Sequence, residues 1–582
     1  MGTISDKLMR IINTKEDIRQ ALISKGYDVP TSIPFKEYAK MILDLPCKVD
    51  SFPDIEGIVA RYSASGLTNE QMAANPVWVD KTGNGHDLQM KNFAWGGMSG
   101  VGGYEMNFNL WTNNAPSIPD ISMSTTTTSV SVSVGNSTYN NNLIYIHMNN
   151  WDINKNHWLK VTSTYEDGDL VFKFYNDNNS KNIELPANGY VNIPAYPEFK
   201  GNYMYISTTS NKQGSFTIEQ LPLYPGALVF DGVDDYGTCD NFPILTKEKG
   251  YTVVALRQWD QDFLNTTLTG GLLSTRNYST GEGVAFEKIE SSNKGYWNLG
   301  AGGIIDFAKS PFTWQTSKQY NNVGILKGDK NHGKPLCVGC GLSGGQQCGR
   351  FAIWELVFLD HDATEEELTK IKDYFVKTYP WLFPDQAWTV VGKTNEDEDR
   401  ATIANITGNG NDLVLSNFGF AEGSGYNEEG EYAGYLVTDG VDDKITSSDF
   451  KMGKDFTIVG DWKFIIDENK GCGLVKVPKL YIYNSKTGLD IYINSNSIKN
   501  ILSGIKGLNA VCSDGRVYDC NWNEISVKYG NMVDINSSFL IANSGNIFTK
   551  MAFKNLGIYN NQLLSKDDCI KAYNYLQTLK AK

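Results

Sequence analysis

Phe230-Asp231-Gly232-Val233-Asp234-Asp235 and Thr438-Asp439-Gly440-Val441-Asp442-Asp443 are two copies of one short phrase. Each follows a Gly-Asn-Gly-x-Asp-Leu box, Gly83 to Leu88 in the first case and Gly408 to Leu413 in the second. Each also precedes an apolar strand that runs into a capped helix. In the first copy these are Ile353-Trp354-Glu355-Leu356-Val357-Phe358 and Thr364-Glu365-Glu366-Glu367. In the second they are Phe553-Lys554-Asn555-Leu556-Gly557-Ile558 and Ser565-Lys566-Asp567-Asp568. Thr364 with Glu367, and Ser565 with Asp568, have the spacing of N-cap and third helical residue. Three landmarks in one order mean one domain type used twice.

The spacings differ in an informative way. The Gly-Asn-Gly boxes begin at 83 and 408, 325 residues apart, and the Asp-Gly-Val boxes at 231 and 439, 208 apart. The first copy therefore carries about 117 more residues between its landmarks, the size of a small domain. That stretch alternates apolar and polar residues, as in Val130-Ser131-Val132-Ser133-Val134 and Leu170-Val171-Phe172-Lys173-Phe174, between Asn- and Gly-rich turns. It reads as an antiparallel β-sandwich of its own.

The expected organisation is a helical N-terminal anchor over 1–48, a first jelly roll split between 49–103 and 223–380, an inserted β-sandwich over 104–222, and a second jelly roll over 386–582. The fold class is mainly β. In the anchor, Ile4, Leu8, Ile11 and Ile12 recur at helical spacing, Thr14 caps a second helix, and Gly26 stops it. About 45 residues bury too little apolar surface to stand alone, so this unit is expected to dock on another protein.

Composition narrows the function. The chain has 582 residues, 20% of them charged, with a net charge of −14. Binding nucleic acid or an anionic membrane needs concentrated Lys and Arg, so neither is an expected partner. No apolar signal region opens the chain and no stretch is apolar enough to span a bilayer, which points to synthesis in a cytoplasm without export. Nine scattered cysteines do not suggest a disulfide framework.

The repeated phrase has a structural explanation. Gly232 allows positive φ, and Asp231, Asp234 and Asp235 can bond their own local backbone. The same three carboxylates are the candidate calcium ligands, although calcium needs six or more oxygens and the box supplies at most three. No other cofactor or metal is expected. Cys337, Cys340, Cys348 and His332 have the ligand types of zinc. Strand alternation would put Cys337 opposite Cys340, so thiols are the favoured reading. Glu396-Asp397-Glu398-Asp399 resembles paired catalytic carboxylates but reads as a solvated loop. Trp95, Trp259, Tyr278 and Trp297 are candidates for stacking on a sugar ring, with Trp314 and Tyr296 beside them. Any one of these also suits a sandwich core.

The Asp-Gly-Val-Asp-Asp turn, followed 110 to 120 residues later by a strand and a Thr/Ser-x-x-Glu/Asp-capped helix, resembles the laminin-G-like or concanavalin A-like jelly roll. The match covers both repeats. A second resemblance lies in Thr14-Lys15-Glu16-Asp17-Ile18-Arg19-Gln20-Ala21-Leu22 with Lys25-Gly26, Pro30 and Pro34-Phe35-Lys36-Glu37-Tyr38-Ala39. These residues look like an N-terminal module of bacteriophage tail-fibre and other virion appendage proteins. Phe216 to Tyr224 likewise resembles segments of such proteins from phages of gut bacteria.

What the resemblance implies is a non-enzymatic structural protein of a phage particle, a tail or head fibre or decoration, located in the virion. Its lectin-like domains would adhere to host-surface glycans. Residues 1–45 would bind other virion proteins, and a homo-oligomer, suspected to be a trimer, is expected. The competing expectations are a polysaccharide depolymerase or glycoside hydrolase on the same fold, and a secreted bacterial adhesin.

Overall fold

The structure, a computed structural model, describes Lys15 and residues 52–581 apart from short stretches, the longest being 307–322; side chains are described for most of these residues outside 276–335, 466–506 and 526–549. The chain divides into two compact units, Met1–Asp54 and Ile55–Lys582. The helices expected within residues 3–45 lie outside the described residues except at Lys15, which is helical.

The second unit is mainly β. In the first repeat the central strand is Arg350–Leu359, paired on one side with Tyr251–Trp259 and on the other with Leu228–Asp231 and Ile58–Ser63. A second sheet, containing Leu88–Lys91, Tyr236–Cys239, Leu336–Val338 and Gly270–Ser274, lies across it. Tyr62, Phe230, Ile353 and Phe358 from the first sheet share one core with Trp78, Leu88, Leu273 and Val338 from the second. The strand Tyr251–Trp259 is buried along all nine residues; outside the core, Tyr374 of the closing helix Glu365–Thr378 meets Arg61 and Glu355 of the neighbouring strands, and Gln258 meets Thr578 of the second repeat.

The second repeat rebuilds this plan. Met551–Asn560 takes the central place, flanked by Phe456–Phe464, Tyr435–Val437 and Gln386–Thr389. Both long strand pairs slip register once, at Leu256/Arg257 and at Asp461/Trp462. The closing helix Lys566–Gln577 is capped by Ser565, which accepts from the Asp568 amide, as Thr364 accepts from Glu367 in the first repeat.

Between Gly103 and Leu223 the chain forms two five-stranded antiparallel sheets around a separate core that includes Val130, Val132, Leu159, Phe172, Phe174 and Ile218. The chain enters and leaves this sandwich at one place. Leu223 N donates to Gly103 O at 2.9 Å, and Tyr224 N to Gly102 O at 2.8 Å.

The second closing helix meets all three sandwiches. It packs on its own sheet, the indole of Trp158 in the inserted sandwich meets Tyr573, and Asn574 donates to Pro222 O at 3.4 Å. Just beyond the helix, Thr578 Oγ1 accepts from Gln258 of the first repeat at 2.7 Å, and Lys580 pairs with Asp262.

Candidate functional site

The repeated Asp box is a self-contained turn. Asp231 Oδ1 accepts from Val233 N at 2.7 Å and Asp234 N at 3.4 Å. Asp235 accepts from Asp231 N at 3.0 Å and Ser99 Oγ at 2.9 Å. The second copy repeats the set, with Asp439 accepting from Val441 N at 2.7 Å and Asp443 accepting from Asp439 N at 2.7 Å and Ser424 Oγ at 3.1 Å. Gly232 and Gly440 sit at φ +78° and +75°, and a Cβ on Gly232 would stand 2.8 Å from that of Arg350. Only glycine suits that backbone at that approach.

One carboxyl oxygen from each of Asp231, Asp234 and Asp235 can be gathered within 4.8 Å, and the same holds for Asp439, Asp442 and Asp443. Burial, reinforced by Asp231, pushes the Asp235 carboxyl up to about 7, and burial pushes Asp443 up to about 6. Their oxygens already serve the turn, and three carboxylates fall short of a calcium shell.

The candidate stacking aromatics fare differently. Trp259 is 0% exposed and packs on Phe263 and Phe351 inside the core, so the expectation that it meets a sugar is corrected. It is the last residue of the fully buried strand, and burial on both faces of that strand leaves it no open face. Trp95 is half-buried, sits at φ +49° and stacks on Phe93 at 4.7 Å. Phe420 holds the same φ in the second repeat, so this place belongs to the repeated turn. Tyr278 and the side chain of Trp297 lie outside the described residues.

The cysteines also need correction. Cys340 and Cys348 face each other across a short ladder and form a disulfide, where thiols were expected. Gly339, at φ +101°, breaks the alternation between Cys337 and Cys340, so the free thiol of Cys337 packs in the same buried cluster as the disulfide. His332 lies outside the described residues. The run from Glu396 to Asp399 is a turn as expected: Asp397 accepts from Thr394 N at 2.9 Å, and Asp399 pairs with Lys393 at 2.6 Å.

The site that sequence reading missed is a cleft of about 690 Å³ where the three sandwiches meet. The inserted sandwich supplies Glu105, Asp152, His157 and Trp158. The first repeat supplies Asp260, Asp262 and Arg350, and the second supplies Glu428, Lys554 and Lys580. Trp158 is half-buried, with part of its ring open.

Charges in the cleft are partly neutralised. His157 Nδ1 lies 3.4 Å from Glu105, and its Nε2 meets Asp152 O at 2.7 Å. Arg350 Nε lies 3.6 Å from Asp260, an ion pair without a hydrogen bond, and the nitrogen is buried. The Lys554 side chain makes no hydrogen bond among the described residues and leans over the ring of Tyr435, 5.6 Å from its centroid. Burial pulls its ammonium below the ordinary lysine range, and Asp461 and Glu105 oppose that pull. Burial holds the Tyr224 hydroxyl well above its ordinary range, with Asp260 and Glu105 adding to the rise and Arg350 opposing it. Glu105, Tyr224, Arg350 and Lys554 therefore belong to one electrostatic neighbourhood.

No family model matches this chain, and no curated protein matches it. Among solved structures, Trypanosoma rangeli sialidase aligns with 79% of this chain and 84% of its own at 10% identity, with a TM-score of 0.24. The Botulinum neurotoxin serotype D binding domain aligns with 58% of this chain and 88% of its own at 11% identity, with a TM-score of 0.23. Similarity at that level carries no functional argument.

Proposed function

We propose that this chain is a non-enzymatic structural protein of a bacteriophage particle, a fibre or decoration, whose β-sandwiches adhere to host-surface glycans. The observation that carries the adhesion reading is the cleft, which combines an aromatic ring, hydrogen-bond donors and carboxylate acceptors on a scaffold of three packed sandwiches. Pockets of this size and mixed lining suit small polar ligands. The virion reading is supported by the resemblance of residues 14–39 and 216–224 to phage appendage proteins. In this reading residues 1–45 join other virion proteins, and the protein acts as a trimer.

The non-enzymatic reading draws on the position of the perturbed acids. A glycoside hydrolase holds a proton donor beside a base or nucleophile in one cleft. The two Asp carboxyls pushed furthest toward neutrality, Asp235 and Asp443, instead serve equivalent turns in both repeats. A hydrolase is the second reading, because five carboxylates line the cleft.

Two experiments decide. Purified protein incubated with host surface polysaccharide is expected to release no reducing ends; sustained release, lost on replacing Glu105 or Asp260, would establish the hydrolase. Mass spectrometry of purified particles is expected to find the chain, and its absence would remove the virion reading.

A further inference from the structure

The charge pattern of the cleft restricts its ligand. Five carboxylates, Glu105, Asp152, Asp260, Asp262 and Glu428, face three fixed cations among the described lining residues. An anionic ligand meets an excess of like charge, on a chain whose net charge is already −14. A cationic ligand would gain from that excess, but it would lie against Lys554 and Arg350 and offer neither an acceptor. Those two side chains make no hydrogen bond among the described residues, and a guanidinium and an ammonium carry only donors. A hydroxyl group meets both demands, since it accepts from a cation and donates to a carboxylate.

We propose that the cleft binds an uncharged polyhydroxylated saccharide, whose hydroxyl oxygens accept from Arg350 and Lys554 and whose hydroxyl hydrogens are donated to Glu105 and Asp152. The inference rests on the adhesion reading and names its ligand class. The volume of about 690 Å³ lies within the range that small-ligand pockets occupy. The half-buried ring of Trp158 supplies an aromatic face for the apolar face of a pyranose. Because Arg350, Lys554 and Glu105 come from different sandwiches, no sandwich alone holds the site.

The test uses the full chain on an array of neutral hexose and N-acetylhexosamine oligomers beside uronate- and sialic-acid-bearing ones. Neutral saccharides should bind, and Lys554→Met and Arg350→Gln should each weaken binding by about tenfold without lowering the melting temperature. In the unmutated protein, the bound saccharide should also slow acylation of Lys554 by a succinimidyl ester, which keeps the test valid if a variant misfolds. Stronger binding of acidic saccharides, neutral binding that both variants retain, or unchanged acylation of Lys554 would overturn the proposal. A blank array with labelled protein still adhering to gut bacterial cells would defeat this inference and leave the adhesion reading standing. Loss of both would defeat both.

Discussion

Trp158 of the inserted sandwich stands edge-on to Tyr573 of the second closing helix, their ring centroids 4.8 Å apart at 73°. Landmarks more than 400 residues apart thus share one junction, and the inserted sandwich has a second attachment besides its own stem. Aromatic pairs of this geometry contribute about 1 kcal/mol beyond simple burial. In a double-mutant cycle, Trp158→Ala and Tyr573→Ala should be non-additive by about that amount in the thermal melt. Additivity within about 0.3 kcal/mol would mean that the inserted sandwich does not rest on the helix.

The stem itself predicts that the insertion can be removed. Gly102 and Gly103 bond directly to Tyr224 and Leu223, so a tight Asn-Gly turn can replace residues 104–222. The first repeat should still fold, as judged by near-ultraviolet circular dichroism, because its core does not draw on residues 104–222. Such a protein lacks Glu105 and Trp158 and should lose saccharide binding. Aggregation of the shortened chain would show that the junction is needed for folding.

The Arg61–Glu355 pair is the most exposed to mutation. Arg61 Nε lies 3.1 Å from Glu355, both side chains are almost fully buried, and Tyr379 donates to the same carboxylate at 2.7 Å. Burial pushes the Glu355 carboxyl upward, and Arg61 opposes it. Arg61→Met leaves an uncompensated buried carboxylate and should cost about 3–5 kcal/mol in denaturant titration. The joint replacement Arg61→Met with Glu355→Leu should be much milder.

Stability should fall as pH rises from about 4 to about 7. Folding lifts Asp235 to about 7 and Asp443 to about 6, from an ordinary value of 3.8. Across that window the folded protein keeps protons that the unfolded chain has released, so the stabilisation is complete below 3.8 and lost above 7. While titrating, each group contributes a slope of about 1.4 kcal/mol per pH unit. Asp235→Asn with Asp443→Asn should flatten the decline of the denaturation midpoint between pH 4.5 and 7.5, and an unchanged slope would refute the assignment.

Peptide mapping without reduction should recover the Cys340–Cys348 link, while Cys337 in the native protein resists alkylation, since burial pushes its thiol up to about 12. Cys348→Ser should lower stability by about 2.5 kcal/mol, the loop entropy released for a separation of eight residues. Quantitative alkylation of Cys340 in native protein would refute the link.

The repeated boxes were legible because a turn that needs glycine at positive φ and two local carboxylate acceptors leaves few alternatives, and it was needed twice. The closing helices were legible through their capping residues. Trp259 was not, because the polar Arg257 and Gln258 beside it suggest a strand end open to solvent, whereas Gln258 meets Thr578 of the second repeat and all nine residues are buried. The disulfide was hidden because Cys340 and Cys348 come together only through the register of a short ladder, and Gly339 breaks the odd–even rule from which the facing of Cys337 and Cys340 was read. The cleft was illegible for a simpler reason. Its walls are separate in sequence, and Arg350 and Lys554 are ordinary cations until a third sandwich brings Glu105 beside them.

The helix Lys566–Gln577 also sets a timetable. Domains emerge from the ribosome at about 5–20 residues per second and fold as they appear. Glu105 is made about 475 residues before Lys580, so the first wall of the cleft waits on the order of half a minute to a minute and a half for the last. During that interval the inserted sandwich can be complete while Trp158 has no Tyr573 to meet. A nascent chain halted before residue 566 thus carries a finished inserted sandwich without the helix on which Trp158 rests, so the proposed recognition would wait until synthesis has passed the second repeat.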